Sequence, residues 1–310
     1  MANITVLDGG MGRELLRMGA PFRQPEWSAL ALIEAPEFVT RAHQGFVDAG
    51  ADVITTNSYA LVPFHLGESV WVRDAARLAT LAGRLAREVA DAAPREVAVA
   101  GSIPPVFGSY RPDLFDAARA PKLYAPIVSA LAPFVDIWLC ETQSSIQEAL
   151  SAIESVLETD QPVWVSFTLD DSAASVNLAP RLRSGEPVRD AVIAVLEAGA
   201  DAILFNCSQP EFLSTAIEVT REILGSNGQD NVSDDAIAVG AYANAFPPQR
   251  TDAAANEDLL TLRADLTPSG YLAFAKQWLD RGVTIVGGCC GIGPEHIGAI
   301  AHECKTAGHD

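Results

Sequence analysis

Short apolar runs rich in β-branched residues alternate along the chain with longer stretches whose apolar positions recur at helical spacing. The runs are residues 4–10 (ITVLDGG), 52–58 (DVITTNS), 97–103 (VAVAGSI), 136–142 (DIWLCET), 162–169 (PVWVSFTL), 202–208 (AILFNCS), 236–243 (AIAVGAYA) and 283–290 (VTIVGGCC). Their apolar residues fall on both alternating sets of positions, as expected for strands covered on both faces. Between them the periodicity predicts helices, among them residues 37–48, 73–93, 146–157, 188–197 and 269–281. Two helices run into an AGAD tag, residues 49–52 and 198–201, where Gly50 or Gly199 can take the left-handed conformation that stops a helix. Eight strand–helix pairs in 310 residues predict a single-domain α/β fold, a (β/α)8 TIM barrel over residues 1–310.

Three segments exceed ordinary connections: residues 11–35 after the first strand, 225–235 before the seventh and 244–267 after it. Segments that follow strands open onto the face where barrels build active sites, so the first and third are expected to shape a pocket. Composition narrows the partners. The 21 basic and 40 acidic residues give a formal net charge of -19, which repels phosphate backbones and anionic lipid surfaces. Neither a nucleic acid nor a membrane partner is expected, and without a secretory leader pattern or a long apolar span the chain reads as cytoplasmic.

The chemistry-bearing residues fall at predicted strand ends, which a barrel brings to one mouth. These are Asp8 with Gly9 and Gly10, Asn57 and Ser58, Glu141, Cys207, and Cys289 with Cys290. Three thiols at one mouth suit Zn²⁺ with its fourth position open, although buried cysteines also serve as small core residues and a vicinal pair can be a strained disulfide. Neighbours on a regular strand point to opposite faces, so Cys289 and Cys290 reach one metal only if the backbone bends. Gly287, Gly288 and Gly291 permit that bend. Cys140 and Cys304 read as structural. Glu141, costly to bury alone, calls for an arginine partner or a substrate ammonium group. Asp8 either caps a turn or joins Glu141 around an amine, with the Gly9 and Gly10 amides receiving a carboxylate. His43, His65, His296, His302 and His309 form no metal or catalytic spacing, and His296 and His302 read as surface residues of the last helix.

With DGGMG (8–12), PEWSA (25–29), AGADVITTNSY (49–59), ET (141–142), NC (206–207), GGCCG (287–291) and PEHI (294–297) in this order, the chain resembles the homocysteine S-methyltransferase family over nearly its whole length. The resemblance implies a zinc-dependent barrel that transfers a methyl group from a small donor to homocysteine, giving methionine. It assigns Cys207, Cys289 and Cys290 as zinc ligands and Asp8 and Glu141 as holders of the substrate amino group. PEWSA is similar to the branch that uses S-methylmethionine or S-adenosylmethionine, with betaine as the alternative donor. A non-catalytic zinc- or thiol-binding barrel is the alternative from another class. One departure stands out: the family's GxNC is here LFNC, with Leu204 at a position usually small, which bears on the shape of the pocket.

Overall fold

All eight predicted strands form, in a single parallel sheet. In chain order they are β1 (Thr5–Val6), β2 (Val53–Thr55), β3 (Ala98–Ile103), β4 (Ile137–Gln143), β5 (Val163–Phe167), β6 (Ala202–Asn206), β7 (Ala238–Tyr242) and β8 (Ile285–Val286). The computed structural model describes residues 4–172, 175–176, 178–226, 237–247 and 261–307. Residue 236, residues 227–235 and 248–260 of the two longer segments, and His309 lie outside these. Each strand pairs with its sequence neighbour, β1 pairs with β8, and a parallel bridge from Leu7 to Val53 joins β1 to β2, so the sheet closes on itself as a TIM barrel.

The helices are α1 (Met11–Arg17), α2 (Ser28–Glu34), α3 (Pro36–Ala49), α4 (Pro63–Leu66), α5 (Glu68–Ala92), α6 (Ala120–Leu131), α7 (Ile146–Val156), α8 (Val188–Glu197), α9 (Pro210–Ser226), α10 (Pro268–Asp280) and α11 (Pro294–Ala307). Residues 11–35 therefore carry two short helices rather than a plain loop. The AGAD tags have a structural cause. Gly50 and Gly199 stand at φ 107° and 90°, and the amides that follow, Ala51 and Ala200, reach back to the carbonyls of Phe46 and Val195. This left-handed helix stop turns the chain sharply toward the sheet. The tags' aspartates then accept an amide from the preceding strand: Asp52 from Val6 at 2.9 Å and Asp201 from Val163 at 2.7 Å. Asp136 does the same for Val99 at 2.8 Å, so one device recurs at the base of three βα units.

Strand alternation separates two cores. Leu7, Val53, Ala100, Leu139, Ala202, Leu204, Tyr242 and Ile285 fill the barrel, while the opposite faces, such as Trp138 and Cys140 of β4 and Ile203 and Phe205 of β6, pack under the helices. Leu204 sits in this inner layer, beneath the mouth, and its register partner on β7 is Gly240. A Cβ at 240 would lie 2.5 Å from Leu204 Cγ, so the bulk at 204 occupies the space that Gly240 leaves empty. Gly240→Ala should cost about 1–3 kcal/mol by overpacking, and most of that cost should vanish in a Leu204→Ala background. Denaturant unfolding of the four proteins of this double-mutant cycle checks it, and an unchanged cost would show that the two positions are not coupled.

Candidate active site

At the top of the barrel the alternation that buries Leu139 and Leu204 continues one step, to Glu141 and Asn206. The same mouth cavity is lined by Asp8, Gly9, Gly10, Asn57, Glu141, Cys207, Cys289 and Cys290. Eight of the nine residues singled out in the sequence thus share one cavity. Ser58 is the exception. It is buried outside the cavity wall, where its Oγ donates to the Ser102 carbonyl at 3.0 Å and pairs with Thr56 Oγ1 at 2.8 Å, tying the end of β2 to β3. Asn57 keeps its place on the wall through a bond from Nδ2 to the Ser28 carbonyl at 3.1 Å.

The three cysteine sulfurs lie within 4.8 Å of one another, although they come from two strand ends. β8 ends at Val286, and the chain bends through Gly287 and Gly288 as expected. A Cβ at Gly288 would meet Ile292 Cγ2 at 2.1 Å, and Gly291 stands at φ 86°, so the bend requires glycine on both sides of the pair. Gly10 serves the same turn, since a Cβ there would lie 2.5 Å from the Cys289 carbonyl oxygen. Its amide is already used, donating to the Ile292 carbonyl at 2.9 Å. The pair of amides expected to receive a carboxylate therefore reduces to that of Gly9.

Hydrogen bonds from Cys289 and Cys290 pull the Cys207 thiol well below its ordinary pKa, while the hydrogen bonds to Cys207 and Cys290 together with burial push Cys289 up. Three converging thiols are a donor set that a thiophilic cation would complete by displacing their protons. Among the described residues no fourth His, Cys, Asp or Glu joins the cluster, which leaves room for an outside ligand.

Asp8 and Glu141 are only 5% and 9% exposed. Asp8 accepts the Thr55 amide at 2.7 Å and the Thr55 hydroxyl at 3.0 Å, and Glu141 accepts the Ser102 hydroxyl. Among the described residues neither carboxylate has a salt-bridge partner. Burial pushes Asp8 up to about 7 and Glu141 up to about 8, the latter also through the charges of Cys207 and Asp8. Both acids are placed where a buried cation would relieve them.

Sequence reasoning missed much of the wall: Arg13, Tyr59, Tyr110, Thr142, Tyr242 and Phe246 all line it, as does the Trp of PEWSA, Trp27. Trp27, Tyr59 and Thr142 lie within the quoted motifs without having been singled out, and Tyr242 stands at an inward position of β7, whereas Arg13, Tyr110 and Phe246 carried no such signal. Four residues on the wall, Trp27, Tyr110, Thr142 and Cys207, have φ between 48° and 65°, a region in which side chains with a Cβ are strained. Thr142 is held there by Asn206, which accepts its amide at 3.1 Å and donates to its hydroxyl at 2.8 Å across a register shift between β4 and β5. No histidine lines the cavity among the described residues. His302 is exposed and His296 half-buried, and the latter is tied into the fold: Nδ1 accepts the Gly293 amide at 3.2 Å and Nε2 bonds the Leu266 carbonyl at 3.0 Å, clasping the start of α11 to the segment after β7.

Fold and site together define an enzyme-type barrel whose mouth joins a three-thiol cluster to two buried acids. A model of the homocysteine S-methyltransferase family matches residues 5–304. Homocysteine S-methyltransferase 1 of Arabidopsis thaliana is 28% identical, over 97% of this chain and 93% of its own. Homocysteine S-methyltransferase YbgG of Bacillus subtilis (strain 168) is 26% identical, over 98% and 95%. The homocysteine methyltransferase MmuM from Escherichia coli, solved in a metallated form, superposes with a TM-score of 0.75 at 25% identity, over 97% and 96% of the two chains. The chain belongs to the homocysteine S-methyltransferase family and is a methyltransferase. No helix among the described residues is long and apolar enough to cross a membrane.

Proposed function

We propose that this enzyme transfers a methyl group from a sulfonium donor, S-methylmethionine or S-adenosylmethionine, to the thiol of homocysteine, with Zn²⁺ held by Cys207, Cys289 and Cys290. The observation that carries the reading is the convergence of these three thiols on the cavity that also holds Asp8 and Glu141. Zinc, when bound, lowers the pKa of an added thiol, which free has a pKa of about 8.5 and is mostly protonated at neutral pH. Asp8 and Glu141 take the homocysteine ammonium group between them, and the Gly9 amide faces its carboxylate. Asn57 completes the wall on the β2 side.

The rings of Trp27, Tyr59 and Tyr242 line the cavity where a cationic donor would sit, whereas those of Tyr110 and Phe246 already carry the guanidinium groups of Arg183 and Arg13. As the new carbon–sulfur bond forms, the donor's bond to its methyl group breaks and the electron pair leaves with the donor sulfur, yielding a neutral thioether. A thiolate and a sulfonium thus cancel their charges, a change that a cavity screened from water favours. A donor of net positive charge also suits a wall with two carboxylates better than betaine, whose net charge is zero.

Metal-loaded protein incubated with homocysteine and equal concentrations of S-methylmethionine, S-adenosylmethionine or betaine tests this. Methionine should form with a sulfonium donor. Turnover with betaine alone would transfer the proposal to that donor, and no turnover with any donor despite one bound metal per chain would overturn homocysteine as the acceptor for these donors.

A further inference from the structure

The cavity does not explain one buried ion pair behind it. Arg183, at 9% side-chain exposure, meets Asp171, at 0%, with Nη2 3.0 Å from Oδ1. Both belong to the connection between β5 and α8, in which antiparallel bridges pair Leu169 with Leu182 and Arg181 with Pro187. Neither lines the mouth cavity. A buried pair of this kind is a poor way to stabilise a fold, because desolvating both charges offsets their attraction.

Its geometry is directed at Cys207. Arg183 Nη2 also donates to the Cys207 carbonyl at 3.4 Å, and Nε donates to Thr168 Oγ1 at 3.0 Å. Thr168 Oγ1 donates to that same carbonyl at 3.3 Å, as does the hydroxyl of Tyr110. Arg183 lies 4.2 Å from the centre of the Tyr110 ring, fixing the side chain that supplies this last bond. Asp171 grips the chain beyond the cysteine, its Oδ2 accepting the Gln209 amide and its carbonyl the Gln209 side-chain amide, each at 3.0 Å. One carbonyl thus receives three donors, and it belongs to the cysteine with the strained φ of 48°. A residue with a Cβ keeps such a conformation only where its surroundings over-determine it.

We propose that Arg183, oriented by Asp171, is a positioning residue: it locks the Cys207 backbone in the left-handed conformation that turns Sγ toward Cys289 and Cys290. This rests on the metal reading of the cluster. Without the fork of Arg183, the Cys207 peptide can relax toward extended geometry, and its sulfur leaves the other two. Lysine keeps the charge but not the planar fork that reaches Thr168, Asp171 and Cys207 together.

The test titrates metal-stripped wild type, Arg183→Met and Arg183→Lys with Zn²⁺ and Co²⁺ against a chromophoric chelator, without substrate, and records circular dichroism and melting of each. Both variants should fold and bind metal about 10–100-fold more weakly than wild type. The Co²⁺ form of Arg183→Met should also lose intensity in its thiolate-to-metal charge-transfer band. If Arg183→Met fails to fold, Arg183→Lys decides the outcome. Folded variants with wild-type metal affinity overturn the proposal. Loss of fold in both overturns it too, because the pair then serves the barrel and not the ligand. Absence of metal binding by wild type instead overturns the metal reading, whatever Arg183 does.

Discussion

Replacing Cys289 with serine should lower methyl transfer to homocysteine by more than about a thousandfold and leave the protein with little bound metal. A free thiol of pKa about 8.5 is only about 3% ionised at pH 7, so losing its activation alone costs roughly thirtyfold. Losing its placement against the donor costs at least as much again. The fold should survive, because Cys289 lies beyond the last residue of β8 in a turn held by backbone bonds: its own amide to Ala243 at 2.9 Å and the Ile292 amide to its carbonyl at 3.1 Å. Metal analysis and single-turnover methionine formation on Cys289→Ser check both halves. A chelator should inactivate the wild type to the same level, and added Zn²⁺ should restore it. Full activity in the metal-free wild type would remove the cluster from the mechanism.

Glu141→Gln should move stability and catalysis in opposite directions. The unfolded chain loses this proton near pH 4 to 5, whereas the folded chain holds it to about 8. Below the unfolded pKa both states carry the proton and nothing is lost. As pH rises toward 8 the folded state must keep a proton that the unfolded state has given up, so stability falls across this window. Asp8, raised to about 7, adds to the same slope. Removing the carboxylate at 141 should therefore stabilise the substrate-free protein at pH 7 to 8 by an amount on the order of a few kcal/mol, read as a raised melting temperature. Glutamine can still accept the Ser102 hydroxyl. The same change removes a buried charge from the substrate ammonium group and should raise the KM for homocysteine about a hundredfold. Melting curves between pH 5 and 8.5 and steady-state kinetics with varied homocysteine measure the two effects. A variant less stable than wild type at pH 8 would mean that Glu141 is already neutralised by a group of the protein.

Comparing sequence with structure at particular residues shows where local reasoning ends. Asn57 and Ser58 are adjacent and equally polar, yet one faces the cavity and the other ties β2 to β3. Their environments are set by segments distant in sequence, Ser28 of α2 for Asn57 and Ser102 of β3 for Ser58. Gly10 reads as an amide donor to a ligand until the bend at Cys289 and Cys290 is seen to press against it and the Ile292 carbonyl to accept its hydrogen bond. Leu204 reads as a disturbance of the pocket. Only strand register, which sets it opposite Gly240, shows that its bulk fills the barrel interior instead. His296, polar on an amphipathic helix, reads as exposed, and the carbonyl it meets lies 30 residues earlier.

By itself the sequence determined the barrel, because alternating strand and helix periods are local properties of the chain and eight such units have few ways to bury their apolar faces. It also pointed to eight of the residues that reach the mouth, since strand ends converge there in any barrel, and to a bend at the cysteine pair, since adjacent side chains on a regular strand diverge. Tertiary structure alone decided the rest: the aromatic wall, the burial that raises Asp8 and Glu141, the spent amide of Gly10 and the grip of Arg183 on Cys207. Those depend on distances between segments far apart in the chain, which periodicity does not carry and closure of the barrel sets.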